Sequence, residues 1–104
     1  MNKKILVVLF GGQSTEHEVS CRSAQTILKA LDRSRYEVLP VGITRDGRWL
    51  LVEDESAIAA DTWRDSRVQA ILSPDADTHG LMITKNGITS ACRVDAVFPV
   101  LHGL

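Results

Sequence analysis

The opening segment of the chain places the strongest constraint on its fold. Residues Lys4 to Phe10 form a β-rich apolar run that ends at Gly11-Gly12. A continuous apolar run of this length is typical of a strand buried on both faces of a parallel sheet. The residues Thr15 to Glu18 match a capping box, in which a hydroxyl and a carboxylate satisfy backbone N–H groups at a helix start. The sequence therefore predicts a central strand, a glycine turn and a helix that begins near Glu16.

A β-α-β unit follows from the spacing of the next apolar residues. Small and then larger side chains recur three or four positions apart along the predicted helix and form its inward stripe. These residues are Ser20, Ser23, Ala24, Ile27, Leu28 and Leu31. The run Tyr36 to Ile43 then predicts a second strand, with a right-handed crossover between the two strands.

Two Asp-Gly or Asn-Gly turns predict hairpins later in the chain. Asp46-Gly47 precedes a return strand over Leu50 to Val52, and Asn86-Gly87 separates two further short strands. Residues 53–67 are weakly helical in pattern. Val94 to Leu101, interrupted by Pro99, predicts another buried strand with polar groups after it. We expect an α/β fold: a Rossmann-like, three-layer parallel sheet with added β-hairpins.

Composition excludes several classes of protein. The 104 residues fit one domain, and a formal net charge of -1 without a basic run argues against nucleic-acid binding. The run Ile5 to Phe10 is too short to cross a membrane. Cys21 and Cys92 are too few for a disulfide framework and lack metal-ligand spacing, so we expect both to be buried. The predicted protein is soluble and cytoplasmic, with no nucleic-acid or membrane partner.

The candidate chemistry lies where the predicted strands end, since ligands of open α/β sheets bind outside the carboxyl ends of the strands. The turn after Gly11 lacks the glycine spacing of dinucleotide-binding loops and the lysine of a P-loop. It carries Glu16 and Glu18 near the helix start, where carboxylates repel phosphate and attract a cation such as an ammonium group. Both glutamates can also serve only as helix-start residues, Glu18 through the capping box.

The remaining candidates have weaker positional support. His102 follows the last predicted strand, where an imidazole can donate to a carboxylate or phosphate, although a histidine there can equally be a bystander. His17 and His79 lie in a helix start and a predicted turn, and we give them no role. Trp49 and Trp63 are interpreted as packing groups.

Three segments together resemble the N-terminal part of D-alanine:D-alanine ligases and the related vancomycin-resistance ligases. The most specific is FGGQSTEHEVS at residues 10–20, followed by Ser23-Ala24. The second is VFPVLHG at residues 97–103, and the third is PVGITRDGRW at residues 40–49. The resemblance implies a pre-ATP-grasp domain that precedes a central domain and an ATP-grasp domain. In that family ATP and magnesium activate a first D-alanine as an acyl phosphate, which the amine of a second D-amino acid attacks.

The resemblance also assigns roles residue by residue. Glu16 matches the acidic residue that anchors the ammonium of the first D-alanine, and Val19 matches a residue that lines the pocket for its methyl group. His102 matches the histidine near the reacting carboxylate, so Glu16 and His102 are the catalytic candidates. Glu18 and Ser20 are interpreted as structural supports. No nucleotide or metal ligand is assigned in this chain.

In the family that this chain resembles, one or two residues and then Gly-Glu-Asp-Gly follow the His-Gly pair matched by His102-Gly103, whereas this chain ends at Leu104. We therefore expect residues 1–104 to be the substrate-binding N-terminal domain, without the central and ATP-grasp domains, inactive alone and without a bound cofactor. The expected partners are D-alanine and a second copy in a homodimer. The second substrate, D-alanine, D-serine or D-lactate, stays open. The alternatives are a Rossmann-like nucleotide-binding module and a non-catalytic dimerisation module.

Overall fold

The structure is a computed structural model that describes residues 3–13, 15–73 and 80–100. Its strands form one seven-stranded sheet in the order β6-β5-β4-β3-β2-β1-β7. The strands are β1 Lys4–Gly11, β2 Tyr36–Ile43, β3 Trp49–Leu51, β4 Gln69–Leu72, β5 Gly80–Lys85, β6 Ile88–Arg93 and β7 Ala96–Val100. The helical segments are α1 His17–Ala30, α2 Ser56–Ala59 and a 3₁₀ turn, Trp63–Asp65.

The first strand is the centre of the parallel part of the sheet. β1 pairs in parallel with β2 on one side and with β7 on the other. Its side chains alternate between two apolar clusters: Val8 and Phe10 face one, whereas Val7 and Leu9 face the other. The prediction of a central strand buried on both faces is confirmed.

The helices described here pack on one face of the sheet. α1 contributes Cys21, Ala24 and Leu28 to the cluster around Val8 and Phe10. The other members of this cluster are Val52, Ile58, Trp63 and Val100. The predicted α1 stripe is largely confirmed, but it extends one turn further back to His17, which is fully buried.

The antiparallel half of the sheet covers the opposite face. Val7 and Leu9 of β1 pack with Ala70 of β4 and Leu81 of β5, so the sheet curls back towards its own parallel half. The α/β class with added hairpins is confirmed. Parallel pairing is confined to β2, β1 and β7 in the described ranges. The antiparallel strands cover the second face of this parallel part, in the position of the expected third layer.

The two halves of the sheet meet at a narrow junction. β3 and β4 share one residue pair, Leu50 with Gln69, and the Leu51 N–H donates to the Val68 carbonyl at 2.9 Å. The sequence analysis did not predict β4. Its four residues are too few for a periodic pattern, and only Ala70 among them is buried.

Both predicted hairpins are confirmed. The turn after β2 is closed by the Thr44 N–H, which donates to the Arg48 carbonyl at 2.8 Å. The turn between β5 and β6 contains Asn86 and Gly87, both with positive φ (53° and 77°). Two consecutive positive φ values are the geometry that favours Asn-Gly in a two-residue hairpin.

The two cysteines differ in environment. Cys21 is buried on α1, and burial raises the pKa of its thiol to about 11. Cys92 on β6 is partly exposed, and desolvation raises its pKa as well. The expectation that both are buried is therefore confirmed for Cys21 alone.

We predict that iodoacetamide at pH 8 alkylates Cys92 much faster than Cys21, because the reactive thiolate of Cys21 is both scarce and enclosed. Mass spectrometry of tryptic peptides over time measures the two rates. A Cys92→Ala variant is expected to remain unlabelled in the folded state, and rapid labelling of that variant would contradict the burial of Cys21.

Candidate functional site

The carboxyl ends of β1 and β7 are joined by one buried hydroxyl. Ser20 Oγ accepts a hydrogen bond from the Gly11 N–H at 2.8 Å and donates to the Val100 carbonyl. Ser20 is fully buried on α1. The side chain therefore holds the first turns of α1 against both strand ends, where a ligand of this fold class is expected. The interpretation of Ser20 as a structural support agrees with these contacts.

We predict that Ser20→Ala lowers the free energy of unfolding by about 2 kcal/mol, because a buried N–H and a buried carbonyl both lose their partner. Urea denaturation measures the change. Thr26→Ala is the control, since the Thr26 hydroxyl is exposed and makes only a 3.5 Å contact with the Arg22 carbonyl. A similar loss in both variants would show that the Ser20 bridge does not carry the effect.

The glycine pair after β1 forms a tight turn towards β2. Gly11 and Gly12 have φ values of 86° and 104°, a region that glycine enters at little cost. The Gly12 N–H donates to the Ile43 carbonyl at 2.8 Å. The turn is therefore fixed to the neighbouring strand before the chain enters α1.

Glu16 is the N-cap residue of α1. Its carbonyl accepts the Ser20 N–H at 2.9 Å, and its side chain is half-buried and makes no capping hydrogen bond to the helix. The predicted helix start near Glu16 is confirmed. The capping box is wrong, since the N-cap is Glu16 where the pattern requires Thr15.

Glu18 forms ion pairs with two arginines from other parts of the chain. Arg45 of the β2–β3 hairpin donates to Glu18 Oε1 at 2.8 Å, and Arg64 Nη2 lies 3.7 Å from the same oxygen. Charge-assisted bonds of this kind compete well with a bond to a backbone N–H. This competition explains why the Glu18 carboxylate does not complete the predicted capping box.

His17 is the residue at this site that the sequence analysis undervalued. Its imidazole is fully buried, stacks on Trp63 with ring centroids 6.0 Å apart, and lies 2.7 Å through Nδ1 from the Gly12 carbonyl. Arg64 Nη2 lies 2.8 Å from the other ring nitrogen, Nε2. The spacing of His17 to Ser20, Cys21 and Ala24 could have placed it on the inward stripe. Nothing in the sequence points to Arg64.

The structure describes some of the other candidate residues, whereas others lie outside its described ranges. Val19 is 36% exposed on the first turns of α1, so its side chain is accessible beside Glu16. His102 and His79 lie outside the described residues. Trp63 is buried against Phe10 and Trp49 packs on the second cluster, so both are packing groups as predicted.

The described part of this site contains no cluster of metal-ligating side chains, and its helix start carries a negative charge. Residues 3–13, 15–73 and 80–100 contain no group of three or more His, Cys, Asp or Glu side chains that could hold a metal ion. The first turn of α1 carries the acidic Glu18, which opposes a phosphate at the helix start. The same ranges contain no helix with the length and apolar character needed to cross a membrane.

The fold and this turn define an α/β domain whose first helix begins with an acidic residue at the carboxyl end of the central strand. Residues 5–104 match the family model described as D-ala D-ala ligase N-terminus. The chain therefore belongs to the D-alanine–D-alanine ligase N-terminal family.

Known relatives agree with this assignment. A D-alanine–D-alanine ligase of Caldicellulosiruptor bescii is 41% identical over 104 residues, which cover 100% of this chain and 29% of that protein. The VanG D-Ala:D-Ser ligase of Enterococcus faecalis superposes with a TM-score of 0.88 at 33% identity, over 98% of this chain and 30% of that one. The D-alanine-D-alanine ligase of Coxiella burnetii gives a TM-score of 0.79 at 30% identity, over 99% and 30%. The chain thus spans less than a third of the relatives it matches.

Proposed function

We propose that this chain contributes the binding site for the first D-alanine to an ATP-dependent D-alanine:D-alanine ligase of peptidoglycan synthesis. Residues 1–104 then correspond to the N-terminal substrate-binding domain of a longer enzyme that acts in the cytoplasm. The observation that carries the proposal is the position of Glu16. This residue begins α1 at the carboxyl end of β1, and its side chain is not used to cap the helix.

The physical argument is electrostatic. A half-buried carboxylate beside the turn at Gly11 and Gly12 is a favourable partner for the ammonium group of an amino acid. Glu18, in contrast, forms an ion pair with Arg45 of the same chain, so we assign the ammonium contact to Glu16. Val19 is 36% exposed and directly precedes Ser20, whose hydroxyl contacts the end of β7, so Val19 supplies an accessible apolar side chain for the methyl group of the substrate.

The ammonium contact also sets the orientation of the substrate. With its amine held by Glu16, the carboxylate of D-alanine is directed away from α1 towards the site of activation, where orientation lowers the barrier. We propose that His102 donates a hydrogen bond to that carboxylate. ATP with magnesium supplies the activation of the carboxylate when bound by other parts of the enzyme.

The proposal is tested by comparing the 104-residue chain with the longer protein that carries this domain. We call that longer protein the full-length ligase. We expect D-alanine-dependent ADP formation from the full-length ligase and none from the chain alone. A full-length protein that does not turn over ATP with D-alanine would contradict the proposed activity. Turnover by the chain alone would contradict the division of the active site among domains.

Homodimerisation stays a prediction of the family resemblance. The edge strand β7 leaves Val97 and Phe98 exposed at 39% and 45%, which is apolar surface that a second subunit or another domain can cover. The relatives include both a D-alanine–D-alanine ligase and a D-Ala:D-Ser ligase.

A further inference from the structure

The proton on the His17 imidazole is assigned by its two partners. The Gly12 carbonyl can only accept a hydrogen bond, so His17 Nδ1 carries the proton and donates to it at 2.7 Å. The Arg64 guanidinium can only donate, so His17 Nε2 accepts from it at 2.8 Å. The two contacts together therefore assign the tautomer with its proton on Nδ1.

Arg64 is itself held in place from several sides. It forms an ion pair with Asp61, lies near Glu18, and has its guanidinium carbon 4.9 Å from the centre of the Trp63 ring. A guanidinium restrained in this way presents a fixed donor to His17 Nε2. A proton on Nε2 would point at that donor, so the arrangement selects the tautomer with the proton on Nδ1.

The hydrogen bond from His17 closes a short loop around Glu16. The loop runs from Gly12, whose carbonyl is hydrogen-bonded to the imidazole, to His17, which directly follows Glu16. At the other side of the turn, Ser20 fixes Gly11. This bond and the bond from Gly11 to Ser20 therefore restrain the backbone on both sides of Glu16 relative to β1.

We infer that His17 is a positioning residue for Glu16, and that Arg64 fixes the imidazole in the tautomer this task requires. The inference rests on the proposed function of Glu16 as the ammonium anchor. His17 does not touch the substrate. Its contribution is to keep the carboxylate at one distance from the bound amine, so its loss weakens binding of the first D-alanine more than it slows the chemical step.

Paired variants of the full-length ligase test the role of the ring. His17→Phe keeps a ring of similar size and removes both hydrogen bonds, whereas His17→Asn retains an amide donor near the position of Nδ1. We expect His17→Phe to raise KM for the first D-alanine about tenfold, with kcat and KM for ATP within about threefold of the parent enzyme. His17→Asn should recover most of this loss. Equal KM in His17→Phe and the parent enzyme would overturn the inference.

Arg64 provides a second test with a matched control. Arg64→Leu removes the donor to Nε2 and should raise KM for the first D-alanine about fivefold. Arg67→Leu removes the same charge from an exposed position three residues on and should leave KM unchanged. An equal effect in the two variants would mean that charge loss, and not the bond to His17, is responsible.

The double variant Glu16→Gln/His17→Phe separates this inference from the proposed function. If His17 acts through Glu16, KM for the first D-alanine in the double variant is no higher than in Glu16→Gln alone. An unaffected Glu16→Gln enzyme contradicts the anchoring role itself. An impaired Glu16→Gln enzyme with fully additive effects contradicts only the positioning role of His17.

The tautomer can be measured without any substitution. Nitrogen-15 NMR of the imidazole at neutral pH is expected to show His17 Nδ1 protonated and Nε2 unprotonated. A ring protonated on Nε2, or on both nitrogens, would overturn the assignment even if a variant failed to fold.

Discussion

Replacement of Glu16 by glutamine in the full-length ligase lowers kcat/KM for the first D-alanine about 100-fold, because the amide cannot neutralise the substrate ammonium. Loss of one partner from a desolvated charge pair costs about 3 kcal/mol, which corresponds to that factor. Steady-state kinetics with varied D-alanine at saturating ATP measure the change. KM for ATP should stay within about twofold of the parent value, since the proposed contact involves only the amino acid.

Two other glutamates serve as controls for Glu16. Glu18→Gln removes the same charge two residues on, from a carboxylate that pairs with Arg45, and its effect should be at least tenfold smaller. Glu37→Gln alters an exposed position on β2 and should have no effect. If Glu16→Gln and Glu18→Gln reduced kcat/KM equally, the local negative charge and not the anchoring contact would explain the loss.

Gly11→Ala is expected to lower the free energy of unfolding by about 4 kcal/mol. Gly11 has φ of 86°, and a Cβ there would lie 2.3 Å from the Ile43 carbonyl oxygen. That oxygen also accepts the Gly12 N–H, so it cannot move away without breaking the turn. Positive φ and overpacking against backbone each cost roughly 1–3 kcal/mol, and the two costs act together here.

Gly87→Ala separates these two costs. Gly87 has a similar φ of 77°, but a Cβ there has no atom within 4 Å. Its substitution should therefore cost only the strain of positive φ, about 1 kcal/mol. Thermal or urea denaturation of both variants measures the difference. Equal destabilisation would mean that the contact with Ile43 relaxes and that the turn is not rigid.

The strand-turn-helix segment could be predicted from the sequence because each step has a local cause. The apolar run of β1, the glycines after it and the spacing of Ser20, Ala24 and Leu28 are all short-range signals. The hairpins were predictable for the same reason, since Asn86-Gly87 supplies the positive φ values that the turn requires. These elements fix where Glu16 lies.

The features that were missed depend on residues distant in the sequence. The predicted capping box fails because Arg45, 27 residues away, binds Glu18. The contact at His17 Nε2 comes from Arg64, 47 residues away, which no periodic pattern connects to α1. The strand β4 is defined by pairing with β5 and not by its own pattern. Local rules therefore locate the site, whereas tertiary contacts determine which side chains are available in it.

The single residue pair between β3 and β4 has a consequence for local opening of the sheet. Backbone hydrogen bonds across this junction are few, so the attachment of β4, β5 and β6 depends mainly on apolar contacts such as those of Val7 and Leu9 with Leu81. Amide protons of these three strands should therefore exchange with solvent through partial unfolding, while those of β1 require opening of the whole domain. The strand that leads into the turn before Glu16 then lies in the slowest-exchanging unit.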